Sequence, residues 1–586
     1  MIAVDFETFY SRTHTVSDMG VVAYANHPDT DIYLVSVYGE GFDYCGRPDS
    51  FDWTQLSGRD LVSHNAGFDI IVAEAAMKKG QISNHFVPRS WSCSADLVAY
   101  CGLPRSLADA YEAAFNKPVS KLMRNWMSGK SWADAVAKGK AAELVEYAQR
   151  DSRYCLELWA HFSPYWPKHE RELSASTRKH IWRGVHVDAD ALDSGVKTLR
   201  KTKEDAAKGI PWSGDTDRKL LSLQVLRDYC TTVGIPAPAS MAKDSEECME
   251  WEDKYADKFP FIRAIRDYRR ANMLLRKLET IQLRLRPDGS IPVQLKYWGA
   301  HTGRWSGDAG INMQNLPRGE MYGVNLRNML TPRKGFKFVI VDLSQIEPRV
   351  LAWLSDDTVM LDALRKGLPL YEAHARATMG WVGGRLKDEN PDLYRLAKAR
   401  VLGLGYGCGA GKFIFVARAM AGLELSAADS ERIVTDWRRS NKDITSFWRA
   451  LDAQIQAATD RRTDFQYALP SGRTMTWWRP KRDIEARGVV ASATKNGTPV
   501  STWGGKLTEN IVQAVARDVF ADGLQRLEAK GHRIVWHVHD EVIIEAPEAT
   551  ADAALADVIA TLSTPPTWAT HLPLAAEGSV ETAYTK

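Results

Sequence analysis

In the first 165 residues the apolar positions fall in short, strand-length runs broken by turn residues, then in longer stretches with a helical period. The opening MIAVDF reads as a buried strand and DIYLVSVYGE as another, while GRDLVSHNAGFDIIVAEAAM begins as a strand and turns into a helix at His64–Gly67. SLADAYEAAF and AAELVEYAQRDSRYCLELWAHF repeat apolar residues every three to four positions, and the aromatic, proline-rich FSPYWPKHE closes this α/β unit. From about 166 to 290 the period is helical, as in KLLSLQVLRDYCTTVGI and FIRAIRDYRRANMLLRKLETIQLRLR. Arg263, Arg266, Arg269 and Arg270 crowd the latter, where a solvated helix face accounts for them. RPDGS then reads as a turn. The α/β region beyond it contains two apolar strands, FKFVIVDLSQI and HRIVWHVHDEVIIEA, that carry acids inside or at their ends. No internal repeat or low-complexity segment is visible.

A chain of 586 residues is too long for one core and predicts about three or four domains. Hydrophobic residues at 45% and charged residues at 25% exclude a mainly disordered chain. No apolar run approaches the ~18 residues of a membrane span, so no membrane association is expected. Asp5 and Glu7 interrupt the N-terminal apolar run, which therefore does not read as a targeting segment. Seven scattered cysteines without a C-x-x-C pair argue for a reducing compartment, hence a cytoplasmic protein, in the host cytoplasm if phage-encoded. Residues 1–160 hold 15 basic and 20 acidic side chains and the remainder 61 and 53. An acidic first unit joined to a mildly basic body fits carboxylate chemistry beside a polyanion-binding surface.

Asp5 and Glu7 lie two apart on a predicted strand, so both point to one face, where they repel unless a cation sits between them. Hard oxygen ligands favour Mg²⁺, with Mn²⁺ able to substitute. Asp69, in HNAGFD, and Asp151, four residues after Tyr147 on a predicted helix, complete the set. Taken singly, each reads as an ordinary capping or surface acid. Together and in this order they resemble the D-x-E, N-x-x-x-D (Asn65 to Asp69) and Y-x-x-x-D motifs of DnaQ-like 3′–5′ proofreading exonucleases. That resemblance implies an RNase H-like domain over 1–165, in which Asp5, Glu7, Asp69 and Asp151 hold two metals and Tyr147 orients the attacking water.

Asp342 closes one apolar strand, and Asp540 and Glu541 sit inside another, some 200 residues on. The Asp-Glu pair reads either as a plain hairpin turn or as acids neutralised by a cation. Between them, ENPDLYRLAKARVLGLGYGCG predicts a helix on which Lys398, Leu402 and Tyr406 share one face. That face suits a phosphate and a base, or simply a snorkelling lysine on an amphipathic helix. These segments resemble motifs A, B and C of family A DNA polymerases, the group of bacterial polymerase I and the phage T-odd replicases. HTGRWSGDAGINMQNLPR resembles the T-G-R…Q-N-x-P segment that precedes motif A.

The resemblance implies an α/β multidomain protein: the exonuclease domain, then a right-hand polymerase. Linker and thumb would span 166–290, the first part of the palm 291–354, the fingers 355–490 and the second part of the palm 491–586. It implies that Asp342 and Asp540 carry two Mg²⁺ ions and that Lys398 binds the triphosphate. His374 would contact phosphate, Tyr406 would stack at the template base, and Glu347 would exclude a ribose 2′-hydroxyl. Arg304, Gln314, Asn315, Gln513 and His539 would contact primer or template, and Glu541 would adjoin the metals. No 5′-nuclease domain is expected. The implied substrates are primer–template DNA, dNTPs and a single-stranded 3′ end, with replication accessory proteins as further partners and phage or plasmid replication as the setting.

Three positions depart from the family pattern. Tyr394 replaces the arginine usual four residues before Lys398, and Arg395, the candidate for its triphosphate contact, lies about 100° around the helix. Leu402 replaces the usual aromatic ring against the incoming sugar, which predicts poor use of dideoxynucleotides. Pro348 follows Glu347 where leucine is usual. Two other readings weigh less: a nuclease whose polymerase half only holds DNA, which intact Asp342, Asp540 and Lys398 oppose, and a single-strand-binding protein stacking on some of its 20 tryptophans.

Overall fold

The computed structural model describes every residue except 215–218, 243–244, 309–310, 486–487 and 586. The N-terminal unit is a five-stranded sheet in the order Phe42–Gly46, Ile32–Gly39, Ile2–Thr8, Asp60–Ser63, Ser90–Cys93. The first three strands pair antiparallel and the last two join in parallel. The 22-residue helix Ala141–Phe162 lies across Ile2–Thr8 and Ile32–Gly39, its apolar stripe (Leu144, Ala148, Cys155, Leu158, Trp159) turned inward as the heptad-like spacing predicts. The helix Ala66–Lys78 follows directly from the strand Asp60–Ser63.

Two long helices, Ala189–Lys208 and Pro260–Arg284, pack along each other beyond this unit. Their far end carries a separate core of Ile210, Trp212, Leu226, Cys230, Trp251 and Phe261. Of the four crowded arginines, Arg263 (paired with Asp257) and Arg270 are exposed, whereas Arg266 and Arg269 are half-buried, so the run forms a solvated face only in part.

The C-terminal half is built on a four-stranded antiparallel sheet in the order Ile534–Val538, Glu541–Pro547, Phe336–Leu343, Ala576–Glu581. The helices Gly504–Ala529 and Ala551–Ser563 belong to its core. Helices spanning Thr358–Arg461 emerge from one end, and a second antiparallel sheet (Phe465–Ala468, Thr474–Asp483, Gly488–Ser492, Val500–Thr502) returns the chain.

Three expected boundaries need correction. The break at 290/291 cuts the strand Ser290–Ile291, which is hydrogen-bonded to Val185–Val187 in a small sheet that also holds Leu330–Thr331. The break at 490/491 cuts the strand Gly488–Ser492, so the change of layer falls at Trp503–Gly504 instead. The helix Lys168–Arg183, assigned to linker and thumb, docks on this four-stranded sheet: Arg183 donates to the Ile534 carbonyl (2.8 Å) and to Glu528 (2.6 Å).

That docking is locked by a buried ion network. Arg517 donates to Glu170 (2.9 Å) and Asp518 (3.2 Å), Arg473 donates to Asp518 (3.1 Å), and Tyr297 donates to Glu170 (2.7 Å). The Arg517 guanidinium also lies 4.9 and 4.8 Å from the ring centres of Trp298 and Trp305. Replacing Glu170 with alanine takes from a desolvated guanidinium the carboxylate that holds it on two nitrogens, leaving Asp518, and should cost about 3–5 kcal/mol. Urea unfolding followed by tryptophan fluorescence checks this, and an unchanged midpoint would show the network to be dispensable.

The first unit is joined to the rest at several points. The Lys495 N–H donates to the Gly102 carbonyl (2.9 Å), Arg105 to the Tyr297 carbonyl (2.9 Å), and Tyr100 packs on Trp298. Among the described residues no helix is long and apolar enough to cross a membrane.

Two candidate carboxylate sites

The N-terminal site is assembled from three elements. Asp5 and Glu7 alternate with buried Val4, Phe6 and Thr8, so both project from one face of their strand. Asp5 is the cross-strand partner of Ser36, and Ser36 bonds Ser152 (2.7 Å) on the helix Ala141–Phe162. Cross-strand partners share a face, so Asp5 and Glu7 point toward the helix that carries Tyr147 and Asp151. Asp69, buried in the first turn of its own helix, accepts the Phe6 N–H (3.3 Å) and is thereby fixed beside the same strand. Asn65 enters that helix with a left-handed backbone (φ 81°), which makes the turn from strand to helix sharp.

The electrostatics follow from this crowding. Burial, and then the charge of Asp151, push Asp5 up to about 8. Burial and the neighbouring acids raise Glu7 and Asp69 well above the usual carboxylate range. Burial lifts Asp151 to about 6 against the opposing hydrogen bond from the Tyr147 hydroxyl. Arg124, whose carbonyl is held by the Tyr10 hydroxyl, is the cation that relieves Asp5 and Glu7, and it joins Arg150 in relieving Asp151. Arg124 escaped the sequence reading because it sits in the six-residue helix Leu122–Met127, too short to give a periodic signal.

Among the described residues no three His, Cys, Asp or Glu side chains are already drawn together into a cation cage. The donor set nevertheless fits hard divalent cations: four converging, desolvated carboxylates that burial and mutual charge hold back from ionising. A pH dependence follows. In metal-free protein Asp5 keeps its proton to about pH 8, against 3.8 ordinarily. Between those values the folded chain binds more protons than the unfolded one, so stability falls as pH rises. In EDTA the melting temperature should drop from pH 5 to pH 8 more steeply for wild type than for Asp5→Asn. Mg²⁺ should restore most at pH 8, because cations bind the ionised form. Equal slopes for the two proteins would contradict this.

The second site lies at the edge of the four-stranded C-terminal sheet. His539 and Asp540 form a two-residue hairpin turn between paired Val538 and Glu541, and His539 takes the left-handed backbone (φ 54°) such turns demand. Leu343 N–H donates to the Asp540 carbonyl (3.1 Å), pinning the turn over the end of the strand that carries Asp342. The apposition is electrostatically visible: burial raises Asp540 to about 6, opposed by a backbone hydrogen bond and reinforced by the charge of Asp342. Asp342 is also the cross-strand partner of Glu541 on one side and Glu577 on the other. Glu541 is buried and accepts the Tyr584 hydroxyl (2.9 Å). Neither Glu577 nor Tyr584 carried a sequence signal, since both depend on the pairing of the last strand.

Glu347, in the first turn of the helix Ile346–Leu354, is clamped from two sides: Arg304 donates to one carboxylate oxygen and the Tyr406 hydroxyl to the other (3.2 Å). His539 lies in the field of both Arg304 and Glu347, although burial is the main cause of its lowered pKa. Pro348 occupies the third position of the same helix, where a missing N–H costs nothing.

Other positions differ from expectation. Tyr406 lies beyond the end of the helix that carries Lys398 and Leu402. The helix Pro391–Leu404 ends two residues earlier, in a glycine-rich turn that swings the ring toward Glu347. His374 does not face the cleft: it is 2% exposed and bonds Thr378 (3.2 Å), and burial, then the charge of Arg400, lowers it to about 3. A neutral, enclosed imidazole is not placed to meet a phosphate. Arg395 is exposed and paired with Asp392 on its own helix. Gln314 is buried whereas Asn315 is exposed, with its carbonyl accepting Lys277 (3.2 Å). Gln513 donates to Glu509 (3.3 Å).

Known proteins share both sequence and architecture with this chain. The profile of DNA polymerase family A matches residues 236–586. The DNA polymerase of Bacillus phage SP02 is 27% identical over 100% of this chain and 99% of its own length. The thermostable DNA polymerase I of Thermus aquaticus is 26% identical over 66% of this chain and 44% of its own. DNA polymerase I of Chloroflexus aurantiacus is 28% identical over 52% of this chain, and the match spans 30% of that protein. Among solved structures, the POL domain of Pol1 from M. smegmatis, in complex with DNA primer-template and dNTP, aligns over 100% of this chain and 95% of its own. Its TM-score is 0.68 at 16% identity.

Proposed function

Because this chain belongs to DNA polymerase family A, we propose that it is a DNA-directed DNA polymerase that extends a primer 3′ end with dNTPs and proofreads with its own 3′–5′ exonuclease. The observation that carries the polymerase reading is the hairpin turn that sets Asp540 against Asp342 at the sheet edge. The nuclease reading rests on the convergence of Asp5, Glu7, Asp69 and Asp151 beside Tyr147. The end-to-end likeness to a phage polymerase supports work in phage or plasmid replication, within the cytoplasm.

Divalent cations, Mg²⁺ first and Mn²⁺ as substitute, would be held by Asp342 and Asp540 at one site and by the four N-terminal acids at the other. When bound they supply neutralisation of charge on the phosphoryl oxygens and activation of an attacking oxygen. The chain's own groups do the rest. Lys398 presents a point charge to the triphosphate. Glu347, immobilised by Arg304 and Tyr406, fills the space a ribose 2′-hydroxyl would need. Tyr147 shares its proton with Asp151 and is placed to orient water at the nuclease site. The strands Phe336–Leu343 and Ile534–Pro547 would be the palm, Ala189–Arg284 the thumb, and the helices after Leu354 the fingers.

Primer extension with all four dNTPs and Mg²⁺ tests this reading directly. Stepwise elongation, and 3′ shortening when dNTPs are withheld, is the expected outcome. Shortening without elongation under every dNTP and metal condition would reduce the C-terminal half to a DNA-holding scaffold.

A further inference from the structure

One large aromatic side chain beside the polymerase site has no part in the chemistry above. Trp503 is 44% exposed, unusual for a tryptophan in the middle of a folded chain. It sits in extended backbone immediately before the helix Gly504–Ala529, which carries Gln513.

Its ring is held in place. The benzo edge (Cζ3 and Cη2) is lodged between Gly407 and Gly505. A Cβ on Gly407 would come within 2.6 Å of the indole, and one on Gly505 within 2.3 Å of it and 2.4 Å of the Tyr406 carbonyl oxygen. Both positions therefore require glycine. The segment beneath is braced in turn, because Trp448 donates to the Gly405 carbonyl (2.9 Å) and stacks on buried Trp437 (5.7 Å, 14°). The result is a flat apolar surface, fixed before anything binds and adjoining the residue that follows Tyr406.

Two cations lie by the Cys408 segment next to the ring, while the carboxylate at its base, Asp452, is engaged by the Gly504 N–H (3.1 Å). Arg438 donates to the Cys408 carbonyl (3.3 Å), and Arg438 and Lys412 are the two charges that act on the Cys408 side chain. Both basic side chains are exposed. An immobilised aromatic face flanked by cations is the combination that holds single-stranded nucleic acid without reading its sequence: the ring stacks a base and the cations meet phosphates. Continuity with Tyr406 selects the strand.

We propose that Trp503 is the stacking platform for the first unpaired template base beyond the one being copied, with Arg438 and Lys412 meeting the phosphates of that strand. The proposal rests on the polymerase reading and adds to it a residue that positions the uncopied template.

The test uses the full chain and a primer–template carrying 2-aminopurine at that first unpaired position. Stacking on the indole should quench its emission when wild type binds. Trp503→Leu keeps an apolar side chain between the two glycines but removes the aromatic face. It should abolish the quench and weaken binding of a template with an unpaired overhang by about tenfold. Trp503→Phe should retain both. Failure of the wild type to extend any primer would overturn the polymerase reading. With wild-type extension intact, two results would overturn this inference alone: an undiminished quench in Trp503→Leu, or equal loss in the leucine and phenylalanine variants, which would mark a purely structural tryptophan.

Discussion

Asp342→Ala will abolish primer extension while leaving 3′-end degradation in place. Neutralising charge on phosphoryl oxygens is worth several kcal/mol in the transition state, and ~4 kcal/mol corresponds to about 10³-fold in rate. Extension rates should fall by at least that factor. The loss will not come from misfolding: Asp342 stands between Glu541 and Glu577 across neighbouring strands. Like charges facing each other destabilise a sheet, so removing the middle one relieves repulsion. The melting temperature of the variant in EDTA should match or exceed wild type. Steady-state extension of a labelled primer, run beside a degradation assay on the same preparation, checks both parts. Retention of a tenth or more of wild-type extension would remove Asp342 from the catalytic set.

The reciprocal result is expected from Asp5→Ala: 3′ degradation lost by about 10³-fold and extension retained. Asp5 is the acid with which Glu7 and Asp69 both interact, so its removal changes the whole N-terminal cluster. It lies in a different sheet from Asp342 and Asp540. Separate sheets make the two effects separable, and the double variant should lose both activities with no further penalty on either. Products copied by Asp5→Ala should also carry more mispaired 3′ ends, read by sequencing. A single variant that silenced both activities would mean one shared centre rather than two.

Much of the N-terminal site was legible because its signals are local. The two-residue spacing of Asp5 and Glu7 on a strand and the four-residue spacing of Tyr147 and Asp151 on a helix each fix a shared face. The same logic located Asp342 and Asp540, whose apolar flanks predict strands. It failed at Tyr406, where helical spacing was extended past the true end of the helix. Gly405 and Gly407 stop that helix, and a turn follows in which the shared-face rule no longer holds. It failed at His374 for another reason: distance along the chain from Lys398 says nothing about which side of a helix pair faces the core, and the packing of Leu370–Thr378 turns the imidazole inward.

By itself, then, the amino-acid sequence determined the order of the elements, the acids each one carries and the faces from which they project, because strand and helix periodicities are properties of a few neighbouring residues. Only the tertiary structure decided what meets across long separations. It set the Asp540 turn against the Asp342 strand, tied Glu347 to both Arg304 and Tyr406, brought Arg124 into the field of the N-terminal acids, and left Trp503 open beside Tyr406. Those meetings depend on strand pairing, helix ends and side-chain burial summed over the whole fold, and no local pattern encodes them.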